Sequence, residues 1–399
     1  AVPATFMVIL PICGFMLFSP AQPLDSGRFP AVKLSSERPL DSGMTNKPGP
    51  ALRLIALFLL VSISTAFQPS PAERAEPADN GFLTVQAEND LFAKFANTER
   101  HYTNGVPIYW LSAPRDDLPE WLRTISAPPV FALFTDDAEV VRTSHRIGVS
   151  LAQALFTPDD TDQSAPILND RPYAAWLHTT FTLQSVRENA AHEAWQDQWK
   201  LDLGVVGPWA LGRETQNGWH RLIGVDQASG WANQLRNEPG LNLSFERAWR
   251  SATFSTPRML GLETDIIPYG IIALGNVQTY AGGGGTFRIG PALPNDFGPT
   301  RIYPGIGGSE WFHSANGFDW YLFAGAEARA IARDIFLDGN TFRDSQSVDK
   351  KVFVFDGKLG AVAVLGATRV SFTHVFRTRE FYGQPKPDQF GSISVSFGL

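Results

Sequence analysis

The chain ends Gly391-Ser392-Ile393-Ser394-Val395-Ser396-Phe397-Gly398-Leu399, and the strict alternation in this stretch decides the fold. From position 393 onward the odd-numbered residues are apolar, whereas the even-numbered residues are serine or glycine. Successive side chains of a β-strand point to opposite faces, so this period of two predicts a strand with one apolar and one polar face.

The same alternation recurs from Gly81 onward, with few convincing amphipathic helices between the alternating stretches. In 199–205, for example, the odd positions are apolar and the even positions are polar or small. Comparable stretches give about twelve candidate strands, with ends accurate to a few residues. These candidates are 81–90, 103–112, 145–156, 173–186, 198–206, 241–254, 258–275, 277–290, 319–333, 351–366, 367–379 and 390–399.

Such a set of strands fits either a soluble exported β-sandwich or barrel, or an outer-membrane barrel. The second is favoured because many candidates have the length of about ten residues that a tilted membrane-spanning strand needs. Their second faces carry Thr, Ser, Gln and charged residues, as a polar lumen requires. Aromatic residues near strand ends suit an interfacial girdle: Tyr109-Trp110, Trp249, Trp311-Phe312 and Trp320-Tyr321. We therefore predict an all-β, antiparallel transmembrane β-barrel of about twelve strands.

The region before the barrel reads as a targeting segment. Residues 44–67 combine Lys47 and Arg53 with the apolar run 54–61 and small residues after it, which predicts a secretory signal peptide. The apolar run is shorter than the roughly 20 residues of a membrane-spanning helix. We expect 1–43 to be a non-native upstream extension and 68–80, rich in Pro, Ala and Glu, to be a flexible leader. Residues 81–399 then form the barrel.

Composition and missing motifs exclude several classes of function. A net charge of −7 argues against a nucleic-acid partner, since phosphate contacts need clustered Lys and Arg. The single cysteine, Cys13, precedes the predicted mature chain, which leaves no disulfide or cysteine metal site. The chain has no Gly-x-Ser-x-Gly elbow and no His-Glu-x-x-His helix. Gly282–Gly285 lacks the Lys-Ser/Thr pair of a phosphate loop, so we expect it to shape a strand.

Four polar stretches remain, and they carry the candidate chemistry. One helical turn would place Gln216, Asn217 and His220 on a single face. Taken alone, each stretch also fits a turn or a structural ion pair. The stretches are Glu88-Asn89-Asp90, His101-Tyr102-Thr103-Asn104-Gly105, Asn169-Asp170-Arg171-Pro172-Tyr173-Ala174-Ala175-Trp176, and Gln216-Asn217-Gly218-Trp219-His220-Arg221-Leu222-Ile223-Gly224-Val225-Asp226.

With Gly204-Val205-Val206-Gly207-Pro208 and Leu274-Gly275-Asn276, the ordered set of motifs from about residue 82 to 399 resembles the outer-membrane lipid A 3'-O-deacylases. The resemblance implies a twelve-stranded outer-membrane barrel that removes an ester-linked acyl group from the 3' position of lipid A with calcium. His220 would then be the general base, and its catalytic partners would be Asn89, Asp90 and Thr103.

The resemblance also suggests the binding groups. Asp226 stands where the family can have Glu, and the lysine that some members carry in the loop corresponding to 159–168 is absent, so Arg171 is expected to supply that charge. We assign Arg171, Gln216 and Asn217 to substrate binding. Calcium prefers oxygen ligands, which suits Glu88, Asp90 and Asp226. Adjacent strand residues face opposite sides, so Asn89 and Asp90 can share a site only where the strand ends, bends or bulges.

The sequence leaves the nucleophile open, because Thr103 could orient a water, donate to the oxyanion or attack the ester itself. Two other functions also stay open: a calcium-dependent outer-membrane phospholipase and a non-enzymatic barrel. We expect a monomer that contacts lipopolysaccharide and the other outer-membrane lipids.

Overall fold

The computed structural model describes residues 81–89, 101–120, 122, 140–191, 193–250, 255–259, 261–300, 308–313 and 317–399. The predicted extension, signal peptide and leader, and also Asp90, lie outside these residues. The strands are β1 (Phe82–Asn89), β2 (His101–Leu111), β3 (Val140–Thr157), β4 (Ala174–Asn189), β5 (Ala194–Val206), β6 (Glu238–Arg250), β7 (Ser255–Met259), β8 (Leu262–Gly275), β9 (Gln278–Gly290), β10 (Phe318–Asp334), β11 (Phe353–Leu365), β12 (Thr368–Arg377) and β13 (Asp388–Gly398). The helices are α1 (Gly212–Ile223) and the single turn α2 (Ile335–Asp338).

These strands form one closed antiparallel sheet. Each strand pairs with its neighbour in sequence except that β6 pairs with β8 instead of β7, and β1 pairs with β13. β6 pairs with the end of β8, whereas β7 pairs with its beginning, so β6 and β7 occupy one position in the wall. The described residues therefore build a barrel of twelve strand positions, which confirms the predicted fold class. Each candidate strand corresponds to one position, and the 258–275 candidate corresponds to β8 but also overlaps the last two residues of β7.

Alternation sorts the side chains into a lipid face and a lumen. On β11, Phe353, Phe355 and Leu359 are exposed outward, whereas Asp356 and Lys358 are buried inward. The buried charges are paired: Arg329 Nη2 and Arg377 Nη2 each lie 2.8 Å from Asp356 Oδ2. Pairing of this kind offsets the large cost of removing a charge from water. None of the described helices is long and apolar enough to cross a bilayer.

The connection between β9 and β10 folds into the lumen. Glu310 accepts hydrogen bonds from Lys200 Nζ at 2.6 Å and from Gln198 Nε2 at 2.9 Å. Next to it, Trp311 and Phe312 are buried, with Phe312 5.1 Å from the Phe82 ring. This packing fills part of the lumen with side chains.

The inward connection also corrects part of the predicted aromatic girdle. Trp110 and Trp320 are exposed on the outer face, as a girdle requires. The prediction was wrong for Trp311 and Phe312, which lie in the inward-folded connection, and for Tyr321, which points into the lumen. Position near a strand end does not reveal which way a connection folds.

The glycine run on β9 lets neighbouring strands approach closely. A Cβ on Gly284 would lie 2.3 Å from Ala326 O and 2.8 Å from Tyr269 Oη, so no larger residue fits. In register, Gly284 stands between Tyr269 and Glu327, and the Tyr269 hydroxyl donates to Glu327 Oε2 at 3.0 Å. The contacts therefore support a structural role for the glycine run on β9.

Both ends of the described barrel chain meet at one rim, where Leu399 N donates to Gly81 O at 2.9 Å. The connections that follow β1, β3 and β5 lie at the opposite rim, because the strands alternate in direction. The third of these connections, 207–237, carries α1 and places it at that opposite rim.

Candidate active site

Helix α1 packs on the outer face of the wall, over β3 and β4. A Cβ on Gly212 would lie 2.5 Å from Ala175 Cβ, so only glycine allows the helix to begin this close to the strand. Around this contact Leu155, Ala175, Ala210, Ala228 and Trp231 form one buried cluster. Leu155 and Ala175 are cross-strand partners on the outward side. The connection thus covers a patch of wall that would otherwise face lipid.

The buried face of α1 is polar. Gln216, Asn217 and His220 are all buried, as their spacing along one helical face leads us to expect. The sequence of α1 shows no clean apolar helical period, because the face that packs on the wall carries amides and an imidazole instead of leucines. These groups therefore lie beneath the helix on the lipid-facing side of the barrel.

His220 is held in one orientation by the turn that ends α1. Gly224 has a left-handed conformation with φ 75°, and both Gly224 N and Val225 N donate to His220 O. This reversal brings Asp226 O within 2.5 Å of His220 Nδ1. A carbonyl oxygen can only accept, so Nδ1 carries the hydrogen and donates it. In the neutral ring, Nε2 then carries the lone pair, as a general base requires.

Two amides fasten the segments around this histidine. Asn217 Oδ1 accepts from Ala228 N at 3.0 Å, and Asn217 Nδ2 donates to Ala228 O at 3.2 Å. Gln216 Oε1 accepts from Trp231 Nε1 at 2.7 Å. By contrast, Gln216 Nε2 is buried and has no hydrogen-bond partner within the described part of the chain. Asn217 thus uses both its amide oxygen and its amide nitrogen on Ala228, whereas Gln216 Nε2 has no acceptor among the described residues.

Tyr173 packs against the 207–237 connection that covers this part of the wall. Its ring lies 5.1 Å from the Trp231 ring, and its hydroxyl donates to Thr161 O at 3.3 Å. Burial raises the pKa of Tyr173 to about 12, so the hydroxyl keeps its proton at neutral pH.

Asn89 lies on the same side of the wall as His220. It is the last residue of β1 and follows the outward-facing positions of that strand. Asn89 pairs in register with Asn104, and Asn104 pairs with Leu155. Leu155 in turn pairs with Ala175, which lies beneath the 207–237 connection. Thr103 falls at a β-bulge between β2 and β3, and its side chain lies outside the described set.

The structure separates two of the three predicted calcium ligands, Glu88 and Asp226, and the third, Asp90, lies outside the described residues. Glu88 is fully buried on the lumen side, where its Oε1 accepts from Gln86 Nε2. Asp226 is exposed in the turn after α1, on the outer side of the wall. Among the residues with described placement, no group of three candidate ligands forms, and Asp90 is outside that set. Glu88 and Asp226 therefore do not fit a single ion.

Arg171 is also separated from His220. Its guanidinium stacks 5.2 Å from the Phe156 ring in the lumen, and Nη1 lies 3.4 Å from Glu380 Oε2. Burial raises the pKa of Glu380, but the charges of Arg171, Arg377 and Arg329 outweigh burial and lower it. Both residues are thus charged partners inside the barrel.

Sequence reasoning missed two groups of the site. The carbonyl of Asp226 orients His220, whereas only the carboxylate had been considered. Trp231 donates a hydrogen bond to Gln216, and no sequence pattern around this tryptophan indicates that role. The Gly224 that follows the last helical residue does indicate a helix end, and with it the turn that returns the chain to His220.

Fold and site together define an outer-membrane β-barrel with a buried histidine beneath a helix on its lipid-facing wall. The family model for outer membrane protein LpxR matches residues 55–399, so the chain belongs to that family. This confirms the resemblance to the lipid A deacylases that the motifs indicated. It also supports the outer-membrane location and the class of enzyme.

A solved structure agrees on the fold. LpxR from Salmonella typhimurium aligns with a TM-score of 0.60 and 20% identity, covering 79% of this chain and 99% of that one. The β domain of the Bordetella autotransporter BrkA aligns with a TM-score of 0.38 and 7% identity, covering 80% and 100% of the two chains. The second likeness is too weak to carry an argument. A search of curated proteins finds no match.

Proposed function

We propose that this protein hydrolyses the ester that joins an acyl chain to the 3' position of lipid A, with His220 as the general base. The observation that carries the proposal is the placement of His220, which is buried under α1 on the lipid-facing side of the wall with Nδ1 donating to Asp226 O. A membrane lipid reaches that side of the barrel without entering the lumen.

In the proposed reaction, His220 Nε2 takes a proton from a water molecule as the water oxygen attacks the ester carbonyl. The tetrahedral intermediate collapses, the bond to the 3' oxygen breaks, and the imidazolium returns its proton to that oxygen. The products are a free fatty acid and lipid A with a 3' hydroxyl. General-base catalysis of this kind contributes roughly 10²- to 10⁴-fold in rate. Attack by Thr103, followed by hydrolysis of the acyl-enzyme, is the alternative route.

The unused donor of Gln216 supports a role in substrate binding. A buried N–H without an acceptor costs about 1–3 kcal/mol, and a substrate oxygen would remove that cost. A donor that gains its partner only with substrate is suited to the carbonyl oxygen as negative charge develops on it. Asn89, on the same outer side, is the second proposed polar partner.

We propose an indirect role for Arg171 and Asn217, through other parts of the chain. Both already have partners within the chain: Glu380 for Arg171 and the Ala228 backbone for Asn217. We propose that Arg171 acts on substrate binding by holding the segment before β4, and that Asn217 acts indirectly by holding the turn after α1, which orients His220. Variants that separate KM from kcat test this assignment.

Calcium dependence is a further part of the proposal. Since Glu88 and Asp226 lie on opposite sides of the wall, no step of the reaction above is routed through an ion. Calcium would supply a positive charge near the ester carbonyl and the lipid phosphates. Asp90 and Asp226 are the proposed ligands. The protein is proposed to act as a monomer on lipopolysaccharide in the outer membrane.

The test offers the purified protein lipid A and phosphatidylethanolamine in parallel, with calcium or with a chelator, and follows the products by mass spectrometry. Loss of one acyl chain from the 3' position of lipid A, with phosphatidylethanolamine intact, is the expected result. Cleavage of phosphatidylethanolamine would instead support the phospholipase alternative. Unchanged lipids would contradict the proposal and leave a non-enzymatic barrel, and unchanged activity with chelator would refute calcium dependence alone.

A further inference from the structure

The 207–237 connection, which covers the candidate site, exposes large apolar side chains on its outer surface. Trp209, Leu211, Trp219, Leu222 and Val225 are all exposed, and Leu222 has 76% of its surface accessible. We call these five residues the apolar patch. Monomeric soluble surfaces rarely expose contiguous apolar side chains of this size, and such patches mark binding surfaces.

The helix separates this patch from its charged residues. At about 100° per residue, Trp219 and Leu222 lie roughly 60° apart around α1. Glu214 and Arg221, also exposed, lie roughly 20° apart on the neighbouring side of the helix. With its polar third face turned to the wall, α1 has the distribution of a helix that lies flat in a membrane interface.

The patch is continuous with the lipid-facing wall. Trp209 follows β5 by three residues, and its N–H donates to Asn237 Oδ1 at 2.8 Å just before β6 begins. The outward residues Leu203 on β5 and Leu241 on β6 are exposed in the same way. The exposed residues named on the wall and in the patch are all apolar. If the 207–237 connection stood in water, we would expect polar residues to separate the two surfaces.

We propose that α1 lies in the membrane interface with the apolar patch inserted among lipid acyl chains. Tryptophan is favoured at that depth because its ring is amphipathic, and Glu214 and Arg221 then face the headgroups. The wall beneath the helix is thereby held at the level of the acyl chains, and lipid enters the candidate site laterally. This inference rests on the barrel and its outer-membrane location, not on the proposed reaction.

The sequence makes a direct depth measurement practical, since Cys13 is its only cysteine. In the full chain with Cys13→Ser, single cysteines replace Trp219 and Leu222 in the patch. Matched controls replace Glu214 and Arg221 on the same helix, and a membrane reference replaces Leu241. Each variant carries a nitroxide spin label and is reconstituted into vesicles of phosphatidylethanolamine and lipopolysaccharide.

The measured quantity is the ratio of label accessibility to oxygen, which concentrates in hydrocarbon, over accessibility to a water-soluble nickel chelate. We expect positions 219 and 222 to give ratios close to that of position 241 and several-fold above those of positions 214 and 221. Ratios at 219 and 222 closer to those of 214 and 221 than to that of 241 would overturn the proposal. The readout needs no deacylation, so it stands or falls independently of the proposed function.

Discussion

Replacing Asn217 tests how the turn after α1 is held. In Asn217→Ala, the Ala228 N–H and C=O lose their hydrogen bonds of 3.0 and 3.2 Å while they remain buried. At about 1 kcal/mol net for each bond, local opening of the turn becomes about 2 kcal/mol easier. Since about 1.4 kcal/mol is tenfold in an equilibrium, the open fraction should rise roughly 30-fold.

Hydrogen exchange of the Ala228 amide measures this opening directly, and deacylation kinetics measure its consequence. We expect exchange to accelerate about 30-fold, with kcat reduced and KM nearly unchanged, because the turn supplies the Asp226 carbonyl that orients His220. Asn217→Asp keeps the acceptor and should fall between wild type and Asn217→Ala, whereas the exposed Glu214→Gln should change neither quantity. Unchanged exchange with a raised KM would refute this reasoning and identify Asn217 as a direct substrate ligand.

Three further outcomes are expected. Trp231→Phe leaves the Gln216 carbonyl oxygen without its donor and should lower kcat several-fold in the deacylation assay, with the barrel's urea midpoint nearly unchanged. Arg171→Met leaves the buried Glu380 carboxylate short of one partner and should lower the free energy of unfolding in detergent by about 3–5 kcal/mol at pH 7. Because the folded pKa of Glu380 is lowered, this difference should be full above its ordinary value of 4.5 and shrink as pH falls below it. The lumen, part of which 308–313 fills, should give no steady ion conductance in planar bilayers, and open-channel steps would contradict that packing.

The barrel was predictable because its signal is spread over the whole chain. Every strand position must bury one face and expose the other, so the period of two repeats in each candidate strand. Strand ends shifted by a few residues, as in β3, which begins at Val140, because pairing with β4 extends it past the alternating stretch. The inward fold of Trp311 and Phe312 could not be predicted, since their partners lie on strands distant in sequence.

The sequence proposes candidate site residues but does not give their geometry. Alternation places Glu88 and Asn89 on opposite faces, which already limits what they can share, and the structure places Glu88 in the lumen. That His220 lies outside the barrel depends on Gly212 meeting Ala175, a contact between segments more than thirty residues apart. Motif order suggests candidate residues, whereas only the fold shows on which side of the wall each described one lies.

The central claim is that His220 on the lipid-facing wall activates the attack on the ester. The most direct measurement compares wild type with His220→Asn, each folded as judged by heat-modifiable gel mobility, on lipid A in water enriched in oxygen-18. The account predicts that wild type releases the 3' acyl chain with one heavy oxygen in its carboxyl group, and that His220→Asn is slower by at least about 100-fold. Equal release by the folded variant would contradict the account.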